Sequence, residues 1–80
     1  MKYIDDDRKN ILIQGFSKLN YVINDSSESE IFMVKQNADD STNLFWVTAK
    51  NVEYKCLKHS KYIDLEIPKK EMNILEKFFE

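Results

Sequence analysis

The most regular patterning along the chain lies between Leu44 and Ile67, where three consecutive runs alternate with period two. Phe45, Val47 and Ala49 alternate with Leu44, Trp46 and Thr48. Val52, Tyr54 and Cys56 alternate with Glu53, Lys55 and Leu57, and Ile63, Leu65 and Ile67 alternate with Tyr62, Asp64 and Glu66. A period of two is that of a β-strand. Two-residue hairpin turns at Lys50-Asn51 and His59-Ser60 would set Ala49 against Val52, Val47 against Tyr54 and Phe45 against Cys56. The second hairpin would then set Cys56 against Ile63, Tyr54 against Leu65 and Val52 against Ile67. All three strands place their apolar sets on one face in this register. A slip of one residue would invert every side chain, so the agreement argues for an antiparallel meander.

The flanking segments complete the fold. Residues from about 5 to 19 read as a helix: Asp5, Asp6 and Asp7 suit its cap and first turn, and Ile11, Leu12, Phe16 and Leu19 share one face. Lys18 suits the last turn, and Asn20 can adopt the left-handed conformation that stops a helix. Gly15 counts against this helix by about 1 kcal/mol, and leaves Ile11-Leu12-Ile13 open to a strand reading. Tyr21-Val22-Ile23 is a short extended piece, Ile31 to Gln36 a strand, and Asn24 to Glu30 and Asn37 to Asn43 are polar loops. Pro68 breaks the ladder and opens a helix from about 69 to 79, with Met72, Leu75, Phe78 and Phe79 as its apolar stripe and Ile74 beside them. The expected fold is α+β: one domain, residues 1–80, an antiparallel four-stranded meander between N-terminal and C-terminal helices (α-β-β-β-β-α).

The register also defines what lies on the other side of the sheet. Leu44 would sit across from Leu57 and Trp46 across from Lys55, with Tyr62 nearby, Lys55 beside Asp64, and Met33 or Ile31 joining from the first strand. A half-solvated sheet carries polar residues on that side; this one carries a Trp, a Tyr and two Leu. Two readings stay open. The second helix covers this face in an α-β-α sandwich, or the face is an exposed apolar patch that docks a partner.

Composition narrows the class. The chain has 80 residues, 42 % hydrophobic and 32 % charged, which suits one modest core. A net charge of −2 speaks against a general nucleic-acid binder. Cys56 is the only cysteine, so no intrachain disulfide can form. The acidic start at Asp5-Asp6-Asp7 is unlike a signal peptide, no apolar run is long enough to span a membrane, and a cytoplasmic location is expected. The Asn24-Asp25-Ser26 acceptor pattern would matter only in a secreted protein. Eleven Lys against one Arg, with eight Ile and seven Asn, point to an AT-rich gene.

Catalytic and metal chemistry find little support. One His and one Cys cannot build a zinc site, and Asp5-Asp6-Asp7 and Asp39-Asp40 lack the glycine and spacing of a calcium loop. Cys56 and His59 are close in sequence, but the register turns Cys56 inward and leaves His59 in a turn. A lone glycine, Gly15, cannot make a phosphate loop. Lys50, Lys55, Lys58 and Lys61 are split between opposite ends of the sheet. Ser26, Ser27 and Ser29 among acidic residues read as a polar loop in preference to kinase sites, and Phe78-Phe79 as an anchor for the last helix.

These readings converge on a small protein-binding module with no enzymatic activity, cofactor or metal. Its expected contact residues are Leu44, Trp46, Lys55, Leu57, Tyr62 and Asp64. Asp5, Asp6, Asp7, Glu28, Glu30, Asp39 and Asp40 would steer it toward a basic target, such as a nucleic-acid-handling enzyme. Chains of this size and composition look like the stoichiometric inhibitors of phages and mobile elements, of the anti-CRISPR, anti-defence or immunity kind, which block a larger protein. The alternatives are a single-stranded nucleic-acid binder using Lys55, Trp46 and Tyr62, and a homodimer that pairs through its bare sheet face; no membrane partner is expected.

Overall fold

The computed structural model describes residues 3–24 and 27–80. They form α1 (Asp6–Lys18), β1 (Val22–Asn24), β2 (Glu30–Gln36), β3 (Thr42–Thr48), β4 (Val52–Lys58), β5 (Lys61–Ile63) and α2 (Lys69–Phe79). The strands make one antiparallel sheet in the order β1-β2-β3-β4-β5. The α+β meander with terminal helices is therefore present, with five strands where four were expected. The extra one is the short extended piece after α1, which pairs Val22 with Val34 and Asn24 with Phe32. Three residues are too few to carry a periodic signal, and this strand exists because β2 offers it a ladder. Of the Asn24-Asp25-Ser26 pattern, Asp25 and Ser26 lie outside the described residues.

The β3–β4 register departs from expectation. Val47 faces Val52, Phe45 faces Tyr54 and Asn43 faces Cys56, in place of Ala49–Val52, Val47–Tyr54 and Phe45–Cys56. The turn is centred on Ala49-Lys50, one residue early, which moves the register by two and leaves every side chain on its expected face. Its cause is local. The Thr48 N–H donates to the Asn51 carbonyl at 2.8 Å, and the Thr48 hydroxyl accepts from the Asn51 N–H at 3.1 Å, a side-chain closure that alternation cannot reveal. The β4–β5 hairpin does turn at His59-Ser60, with φ of 52° and 64°, and pairs Cys56 with Ile63. Beyond Ile63 the ladder stops, so the expected Tyr54–Leu65 and Val52–Ile67 pairs do not form. The chain leaves β4 there, and Ile67 packs against the core on the way to α2.

α1 is helical throughout, including residues 11–13. Asp5 caps it by accepting from the Arg8 N–H at 2.8 Å, and Asn20 stops it at a φ of 70°. A Cβ built on Gly15 would lie 2.8 Å from three side-chain carbons of Ile74. The residue that counted against the helix is where α2 rests on it.

Both helices lie on the same face of the sheet. Leu12 and Phe16 of α1 and Leu75 and Phe78 of α2 are buried with Ile31, Met33, Phe45 and Val47. Phe16, Tyr21 and Phe45 meet edge to face with ring centroids 5.0 to 5.6 Å apart. At one end of the helix layer, Arg8 Nε donates to the Phe78 carbonyl at 3.0 Å and Nη2 to the Ala49 carbonyl at 2.7 Å. The guanidinium stands 4.3 Å from the Phe78 ring centre. At the other end, buried Glu71 accepts from the Tyr21 hydroxyl at 2.8 Å, and that hydroxyl accepts from Asn43 Nδ2 at 3.2 Å. The Tyr54 hydroxyl donates to Asn43 Oδ1. Among the described residues, no helix is long and apolar enough to cross a membrane.

Two outcomes follow from this packing. Gly15→Ala gains about 1 kcal/mol of helix propensity but overpacks the helix contact, costing about 1–3 kcal/mol. Denaturant unfolding is expected to report net destabilisation, and Ile74→Val in the same chain to recover part of it. Burial, reinforced at Tyr21 by the Glu71 carboxylate, pushes the Tyr21 phenol well above its ordinary range, and burial raises Tyr54 as well. Because the folded-state values lie above the unfolded one, this stabilisation is complete below about pH 10 and is lost as pH climbs through the folded-state values. Ultraviolet tyrosinate absorbance should show these two phenols ionising together with alkaline unfolding; their ionisation in a still-folded chain would contradict the buried network.

Candidate functional site

With both helices on one side, no layer of the described residues lies over the reverse of the sheet, and the sandwich reading does not hold. The pairing registers place its side chains in rows. Phe32, Trp46 and Glu53 form one row, with Asn24 at its β1 end. Val22, Val34, Leu44 and Lys55 form the next. Thr42, Leu57 and Tyr62 follow, with Gln36 at the β2 side.

The expected contact residues are largely brought together here. Trp46 is 38 % exposed and Tyr62 64 %, while Leu44 and Leu57 are partly covered by their neighbours. Two pairings are corrected by the shifted turn: Leu44 lies across from Lys55 and Trp46 across from Glu53. Lys55 has no ladder partner in Asp64, which falls after β5 ends, and its ammonium instead stands 5.9 Å from the Tyr62 ring centre. Met33 and Ile31 do not join this face; both are fully buried in the core, and Phe32 and Val34 occupy the open side. Residues 31 to 34 are all apolar, so alternation alone could not tell which pair faces out. Val22 and Glu53 also belong to the surface.

Phe32 and Trp46 stack with their rings nearly parallel, 2° between planes and centroids 5.8 Å apart. The Trp46 indole N–H donates to Glu30 Oε2 at 2.9 Å. This satisfies the polar edge of the indole and, together with the stack on Phe32, fixes its orientation. Phe32, Leu44, Trp46, Glu53, Lys55 and Tyr62 line a shallow depression of about 320 Å³ over the apolar floor of the sheet. Only one cation, Lys55, stands among them, against Glu53 within the depression and Glu30 at its edge.

The acidic residues proposed for steering are divided. Ile4 donates its N–H to the Glu28 carbonyl, and Arg8 joins α1 to the β3–β4 turn. The start of α1, with Asp5, Asp6 and Asp7, therefore shares one end of the molecule with Glu28 and Glu30. Asp39 and Asp40 sit at the opposite end, in the β2–β3 turn. There the Ser41 hydroxyl and N–H hold the Asp39 carboxyl below its ordinary range, and Lys58 lies 3.6 Å from it. Lys58, Lys61, Lys69 and Lys70 gather at that second end beside Asp39 and Asp40, so acidic residues predominate at the first end of the strands while the second carries both signs.

The remaining candidates are accounted for locally. Cys56 is buried opposite Ile63 and His59 stands in its turn. Ser27 and Ser29 hydrogen-bond one another, and Ser26 lies outside the described residues. Phe78 is buried, with Phe79 packed against its edge. Among the described residues, no three His, Cys, Asp or Glu side chains converge as a metal site. No protein-family model matches the chain, and the searches of curated proteins and of solved structures likewise returned no match.

Proposed function

We propose that this chain is a small non-catalytic module that binds another protein through the open face of its sheet. The observation that carries the reading is the stacked Phe32–Trp46 pair at the centre of an apolar surface that both helices leave bare. Such surfaces, with a rigid aromatic centre and charged residues at the margin, match the composition of protein interfaces. In its fullest form the module is a stoichiometric inhibitor that blocks a larger target, as phage and mobile-element proteins of this size do. The acidic end, with Asp5, Asp6, Asp7, Glu28 and Glu30, would then orient it toward a basic region of that target.

Single-stranded nucleic acid is the weaker reading. Lys55, Trp46 and Tyr62 share the face, but Glu53 and Glu30 flank them, and Lys50 is separated from Lys58 and Lys61 by the length of the sheet, so the lysines form no continuous track.

Affinity capture from the source organism, comparing the natural chain with Trp46→Ala and Tyr62→Ala, tests the proposal. Partners retained by the natural chain should be lost from the variants, with a central Trp46 anchor contributing about 2 kcal/mol or more. Unchanged capture by folded variants would reject this face. Labelled oligonucleotides should show no salt-dependent binding at micromolar protein.

A further inference from the structure

We infer that the open face is self-complementary and that a second copy of this chain covers it when no other target does. This rests on reading the face as a protein-binding surface and adds its occupant. The argument is geometric. Consider a two-fold axis lying in the interface, perpendicular to the strands, at the level of Met33, Phe45 and Tyr54, which face one another across β2, β3 and β4. This operation stacks each strand on its own copy and reverses its direction. The row of Phe32, Trp46 and Glu53 then falls on the row of Val34, Leu44 and Lys55 of the second copy.

The three central crossed pairs are complementary, while Val22 falls on Asn24 and Leu57 on Asn51 at the margin. Phe32 meets Val34 and Trp46 meets Leu44, large against small, as interdigitated sheets require. Glu53 meets Lys55, twice by symmetry. The same reversal lays the acidic end of one molecule over the end of the other that carries Lys58, Lys61, Lys69 and Lys70. A two-fold axis along the strands instead sets Trp46 against Trp46 and carries the charged β4 side toward Phe32 and Val34, burying unpaired charge.

The exposed apolar area sets the upper limit of the contact. Val22 is 74 % exposed, Phe32 46 % and Val34 37 %, in addition to Trp46 and Tyr62. Together with Leu44 and Leu57 these offer on the order of 600 Å² per molecule, near the ~800 Å² per partner of a standard interface. The product is a four-layer particle with paired sheets inside and helices on both outer surfaces.

Sedimentation equilibrium of the natural chain and charge variants tests this. The natural chain should dimerise with increasing concentration. Lys55→Glu and Glu53→Lys should each weaken self-association by roughly tenfold to a hundredfold, since each sets like charges against each other. A mixture of the two variants should recover association as a heterodimer, because every crossed pair is again opposite. Association unaffected by either variant, or no recovery in the mixture, would overturn the arrangement. So would a natural chain that stays monomeric at high concentration. Trp46, the only tryptophan, separates the two levels of the argument. A monomer whose Trp46 emission is freely quenched refutes the dimer and leaves the binding surface standing, whereas a monomer with shielded Trp46 refutes both. A dimer should show quenching that falls as concentration rises.

Discussion

The contact on which the architecture turns is Ile74 of α2 seated on Gly15 of α1. Two short helices cannot both fit over one face of a small sheet unless they lie close together, and the missing side chain at residue 15 permits that approach. With both helices committed to one side, neither covers the other, and no other element among the described residues does. The bare surface is thus a by-product of how the core is closed, and the aromatic pair on it is exposed because the helices prefer each other.

The helix layer is fastened at its two ends by different chemistry. Arg8 bonds two carbonyls from distant segments, one of them at the C-terminal end of α2, where a helix favours a cation. At the far end, Tyr21 supplies a donor to the buried Glu71 carboxylate, itself in the first turn of α2, where negative charge is favoured. Both fastenings are polar groups joined to partners far along the chain. A buried carboxylate without its partner is costly, and a half-buried guanidinium less so, so these bonds favour the helix arrangement that makes both.

Much of this was legible from residue order. The helix limits, the antiparallel meander and the inward-facing sets of β3 and β4 follow from periodicity, and Asp5 and Asn20 mark the ends of α1 as their chemistry suggests. Three matters were not legible, each for a physical reason. The β3–β4 turn depends on a Thr48 side-chain closure, and a register error of two residues leaves the facing pattern unchanged. Residues 31 to 34 are apolar on both faces, so which pair is buried is decided only by pairing. Gly15 reads as a defect when the helix is taken alone and becomes a requirement only once Ile74 is placed. The open face was therefore recognisable in kind from Trp46, Tyr62, Leu44 and Leu57, while Phe32 and Val34, and the placing of Glu53 across from Trp46, needed the sheet itself.

The hairpin between β4 and β5 has a further consequence. His59 and Ser60 both adopt left-handed backbone conformations without a glycine to relieve them, and β5 is only three residues long. With so short a ladder to offset that strain, and with all three of its residues exposed, β5 is weakly held, and its amides should exchange with solvent before those of the central ladder. Tyr62 rides on that strand. One wall of an otherwise stiff aromatic platform is thus able to yield, which suits a surface that accommodates shapes differing slightly from its own.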